Sequence, residues 1–115
     1  MVDYSKIVTE LEKEKGGLAY FAIVRMDEFV DMWTVMFAAD WVNDKNRIDI
    51  YNRINNLIDA NGKKSDIAKV SRIGIFNSDH YLIKGLLKYS KEPELKDIKI
   101  NGNTIHSGRV FYPHA

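Results

Sequence analysis

The stretch Lys99-Ile100-Asn101-Gly102-Asn103-Thr104-Ile105 sets an Asn-Gly pair between two runs of β-forming residues. Both residues tolerate the positive φ angles of a type I′ turn, whose twist matches that of paired strands. Residues 97–100 and 104–112 are therefore expected to form an antiparallel hairpin, with Gly108 at a bulge.

Toward the N-terminus, Pro93 stops a helix expected over residues 79–91 and capped by Ser78. Leu82, Ile83, Leu86 and Leu87 form its apolar stripe, and Lys84, Lys88 and Lys91 fall on its wet face. Residues 70–76 read as a strand, in which Gly74 signals close packing or a bulge. A turn of helix over residues 65–68 precedes it. Before that, Asn43 or Asp44 starts a longer helix to Ala60, with Ile50, Ile54, Leu57 and Ile58 at helical spacing and Tyr51 beside them. Residues 18–25 and 31–38 read as strands joined by Met26-Asp27-Glu28, hence an antiparallel pair. The first is apolar on both faces, as in the middle of a covered sheet. Trp33, Val35 and Phe37 share one face of the second. A short charged helix marked by Ile7, Val8 and Leu11 comes first and ends at Gly16-Gly17.

The order α-β-β-α-β-α-β-β predicts one α+β domain over 115 residues: a mixed five-stranded sheet with hairpins at both ends and two main helices packed on it. Strand order is not readable from this pattern.

Composition bounds the function. Hydrophobic residues make up 45% and charged residues 29%, as in a soluble globular protein. The 17 basic and 16 acidic residues nearly balance, so net charge gives no reason to expect nucleic acid or an anionic membrane. The two parts differ: residues 1–60 hold 7 Lys/Arg against 11 Asp/Glu, and residues 61–115 hold 10 against 5. The absence of cysteine excludes disulfides, thiolate catalysis and Cys-based zinc sites, and together with the lack of a signal-like N-terminus it points to the cytoplasm. No apolar run approaches the ~20 residues of a membrane span. The Lys-, Ile- and Asn-rich composition resembles that of small prokaryotic proteins.

Chemistry has one place to gather. If the second and third strands are parallel, the junctions after them share one sheet edge, where ligands bind in open sheets. These junctions would bring together Asp40, Asp44, Asp79 and His80 as catalytic or liganding groups, with Trp41, Ser78 and Tyr81 as binding walls. The same Asp, Asn and Ser residues are what any helix start requires. No HxH, HExxH or DxD spacing, G-x-S-x-G elbow, G-x-G-x-x-G or P-loop is present, so no metal or cofactor is expected. His106 is expected on the last hairpin, pointing out of the sheet, and His114 in the tail. Lys63, Lys64, Lys69 and Arg72 form a basic cluster without exposed aromatics beside it, a weak nucleic-acid signal.

The first hairpin is crowded with Tyr20, Phe21, Phe29, Trp33, Phe37 and Trp41. If helices cover only one sheet face, several of these form an apolar interface; otherwise all are core. The leading expectation is a cytoplasmic protein-interaction module without catalysis that forms a homo-oligomer, a dimer, or binds another protein through its sheet. A ligand- or metal-binding domain or enzyme built on the Asp40–His80 edge is the alternative. Nucleic-acid binding through the basic C-terminal half ranks third.

Overall fold

The structure, a computed structural model, describes residues 2–26, 32–89 and 91–113. The expected turn at residues 27–28, the start of the second strand at Asp31, Phe29 and His114 lie outside the described residues. The elements run α1 (Tyr4–Lys15), β1 (Tyr20–Arg25), β2 (Trp33–Ala39), α2 (Arg47–Ala60), α3 (Lys64–Ile67), β3 (Val70–Asn77), α4 (Tyr81–Leu87), β4 (Glu94–Ile100) and β5 (Asn103–Tyr112). The fold is α+β, with a mixed five-stranded sheet of order β3-β2-β1-β5-β4. Among the described residues, only the β2·β3 pair is parallel; β1·β2, β1·β5 and β4·β5 are antiparallel.

The alternation in β1 and β2 divides the core in two. Phe21 and Ile23 of β1 and Val35, Phe37 and Ala39 of β2 face one side. There they meet Ile7, Val8 and Leu11 of α1 and Ile50, Ile54, Leu57 and Ile58 of α2. Tyr20, Ala22 and Val24, with Met36 and Ala38, face the other side and meet Leu82, Ile83 and Leu86 of α4 together with Ile98, Ile105 and Val110. Helices therefore cover both faces, and Tyr20, Phe21 and Phe37 are fully buried core. Each such side chain withdrawn from water contributes roughly 1.5–3 kcal/mol.

Three local expectations need correction. Helix α4 begins at Tyr81 behind His80 rather than behind Ser78, and ends at Leu87. Helix α2 begins at Arg47, one turn later than expected. Asn43 still caps, but it caps the preceding turn: its Oδ1 accepts from Lys45 N at 2.9 Å and Asn46 N at 3.0 Å. Gly108 is not at a bulge. The β1·β5 register shifts between Phe21 and Ala22, opposite residues 110–112, while Gly108 pairs regularly with Val24 and Leu95. Its glycine is needed because a Cβ there would lie 2.8 Å from the Ile23 carbonyl oxygen.

The Asn101-Gly102 turn forms as expected, with φ of 46° and 85°. Within the hairpin, Asp97 also takes a positive φ of 51°. Leu95 and Ile98 are both buried around it, and so are Ile105 and Val110 on the opposite strand. Both strands thus change face near Asp97 and His106 while the pairing register stays constant.

Candidate functional site

The parallel β2·β3 pair does bring its two following junctions to one edge, with Ala39 paired to Asn77. The side chain that organises this edge is Asn77. Its Nδ2 donates to the carbonyls of Asp40 at 3.1 Å and Val42 at 2.9 Å, and its Oδ1 accepts from Asp79 N at 3.0 Å. Ser78 donates its hydroxyl to the Asp40 carboxylate. Asp40 and Ser78 therefore meet across the two junctions.

The remaining sequence candidates point elsewhere or serve the fold. Asp44 is almost fully exposed and lies 3.7 Å from Arg47 Nη1. His80 accepts from Leu82 N through Nδ1 at 3.2 Å, so this nitrogen caps α4. Its ring sits 4.8 Å from Phe76 and 4.7 Å from Tyr81, the latter stacked at 27°. Trp41 packs 5.7 Å from Phe37 and donates its indole N–H to the Gly17 carbonyl at 2.9 Å, pinning the α1–β1 connection to the end of β2. Among the described residues, no three Asp, Glu or His side chains come together to hold a metal. What this edge offers chemically is one carboxylate–hydroxyl pair at the surface.

The basic residues do not share one surface. Ile67 of α3 packs on the α1/α2 side, whereas α4, with exposed Lys84 and Lys88, covers the opposite face.

A larger depression lies away from this edge. It is an open groove of about 600 Å³ where β1, β5 and β4 run side by side, and Arg25, Trp33, Lys96, His106, Ser107 and Arg109 line it. Arg25 pairs with Ser107, which in turn pairs with Lys96. Partners across a sheet point to the same side, so these three form one row. Ile23, Arg109 and Glu94 form the next row. The face change at Asp97 and His106 brings consecutive residues, 96–97 and 106–107, into the same groove. His106 is half-buried there instead of pointing free of the sheet. Arg109 lies over the Phe111 ring at 5.7 Å.

Among the described residues, two buried polar atoms have no hydrogen-bond partner: the Tyr20 hydroxyl and Arg25 Nε. Leaving such a group unpaired costs about 1–3 kcal/mol. Tyr20 is sealed between the sheet and α4, and burial pushes its pKa well above the ordinary tyrosine value. Arg25 borders the groove. Sequence reasoning read Arg25 only as the end of an apolar strand; the signal it carried was a lone cation closing an otherwise apolar run.

No family model matches this chain, and no curated protein or solved structure matches it either.

Proposed function

We propose that the protein is a non-catalytic interaction module of the cytoplasm that associates with a second copy of itself, edge to edge through β3. The observation that supports this reading is the contrast between the two sheet edges. Strand β4 carries Glu94, Lys96, Asp97 and Lys99 in seven residues, and the positive φ at Asp97 distorts its ladder. Charges and distortion are the usual means of protecting an edge from unwanted pairing. Strand β3, Val-Ser-Arg-Ile-Gly-Ile-Phe-Asn, has one charge in eight residues and no lysine or proline. Its outer backbone groups form a ready template for another strand. Because helices cover both faces, the interface lies at an edge and not on the aromatic sheet face.

A two-fold axis between Ile73 and Gly74 would pair Arg72 of one copy with Ile75 of the other, so the two guanidiniums avoid each other. A strand pair alone buries less than the ~800 Å² per partner of a standard interface, so a dissociation constant of ~1–100 μM is expected. Sedimentation equilibrium over a concentration series tests this. A reversible monomer–dimer equilibrium, abolished by Ile73→Lys with the far-UV spectrum retained, supports the reading. A strict monomer up to about 1 mM refutes it.

A further inference from the structure

We infer that the groove beside β1, β5 and β4 binds a small monocarboxylate with an apolar body, its carboxylate held by Arg25 and Ser107. Three observations converge on this site, which is independent of the β3 edge. The register sets Arg25, Ser107 and Lys96 in one row on the same side of three adjacent strands. Arg25 lines the groove, and its guanidinium carries N–H donors in a planar fork that suits planar oxyanions such as a carboxylate. The Ser107 hydroxyl, across the β1·β5 pair, adds a second donor.

The walls set the rest of the ligand. Half-buried Trp33 supplies an apolar surface beside the guanidinium, fitting a hydrocarbon or aromatic body. Charge sets its valence. Arg25, Lys96 and Arg109 face the groove together with Glu94 and Asp97, leaving an excess of one positive charge. That balance favours a singly charged head group over a phosphate dianion. The volume of about 600 Å³ lies within the ordinary range of small-molecule sites.

Benzoate, benzyl alcohol and phenyl phosphate serve as probes, titrated into the full chain and followed by ¹H–¹⁵N NMR. The expected result is saturable shifts with benzoate at the Arg25 side-chain Nε–H, the Trp33 indole N–H and the Ser107 amide. Benzyl alcohol should produce none, and phenyl phosphate should bind more weakly. Arg25→Gln should weaken benzoate at least tenfold. Ser107→Ala, which leaves the guanidinium in place, should weaken it severalfold and covers the case in which Arg25→Gln fails to fold. The proposal is overturned if benzoate gives no saturable shift, if benzyl alcohol shifts the same resonances, or if phenyl phosphate binds as tightly as benzoate. Unchanged benzoate affinity in a folded Arg25→Gln, or in Ser107→Ala, overturns it too. Self-association measured on the same samples reports on the β3 edge separately, so either reading can fail alone.

Discussion

Substituting Gly108 by alanine tests how closely β1 and β5 approach. A Cβ at this position would sit 2.8 Å from the Ile23 carbonyl oxygen, 3.1 Å from Val24 Cγ1 and 3.3 Å from Leu95 Cδ1. The side-chain atoms can give way, but the carbonyl belongs to the central strand and cannot retreat without disturbing the β1·β5 ladder. Overpacking costs about 1–3 kcal/mol, and the backbone clash puts this site at the upper end. Alanine recovers roughly 0.5–1 kcal/mol of the entropy that glycine loses in a strand. The net expectation is a loss of about 2 kcal/mol, or a Tm lowered by roughly 8 °C in a domain of this size. Gly17→Ala is the control, because nothing lies within 4 Å of its added Cβ. That variant should be neutral or stabilised by about 0.5–1 kcal/mol. Urea and thermal melts of both give the comparison. If Gly108→Ala unfolds within about 0.5 kcal/mol of Gly17→Ala, the tight β1·β5 approach is refuted.

Tyr20→Phe removes a buried, unpartnered hydroxyl and should raise stability by about 1 kcal/mol in urea melts; a loss of that size would mean the hydroxyl has a partner. Burial pushes Tyr4 up to about 12 and Tyr20 higher still, while both titrate near 10.0 in the unfolded chain. Their folded pKa values are raised, so their contribution is complete below pH 10 and falls as pH climbs from about 10 toward 12. Urea midpoints should drop over that window, less steeply in Tyr4→Phe, and equal slopes would contradict the burial of Tyr4. Trp41→Phe keeps the packing on Phe37 but loses the bond to Gly17, so a cost of about 1 kcal/mol is expected. Trp33 is only half-buried, so Trp33→Ala should cost about 1–3 kcal/mol by denaturant melts, less than full burial would imply.

What the sequence disclosed was whatever depended on neighbours along the chain. The stripe Ile50, Ile54, Leu57 and Ile58 is a property of the helical period and is buried as read. The Asn101-Gly102 turn is set by two residues' φ preferences. The start of α4 escapes local reading because a side chain from another segment, Asp40, engages Ser78. Ser78 gives its hydroxyl to Asp40, and Asn77 takes the Asp79 amide, which leaves His80 to cap. Beyond Leu87, the residues Lys88, Tyr89 and Lys91 do not extend the apolar stripe, and the helix stops short of Pro93. The shared edge of Asp40 and Ser78 depends on the parallel β2·β3 pairing, which the sequence offers only as a condition and the structure supplies. The groove around Arg25 was invisible. It exists only because β5 pairs with β1, and no local pattern in either strand encodes that choice.

The strand order also bears on how the chain folds while it is being synthesised. Strand β1 is apolar on both faces and lies between β2, made immediately after it, and β5, the last of the sheet's five strands in chain order. Helices α1 and α2 can close one side over Phe21 and Phe37 early. The second edge of β1, and the core around Tyr20 and Ala22, must wait for residues 94–112. During that interval a nascent chain presents a bare hydrophobic strand, the kind of surface that chaperones and stray strands recognise. The Asn101-Gly102 hairpin limits the delay. It forms locally within about 1–10 μs and can dock as a finished unit, so that emergence from the ribosome, not pairing, sets how long β1 stays uncovered.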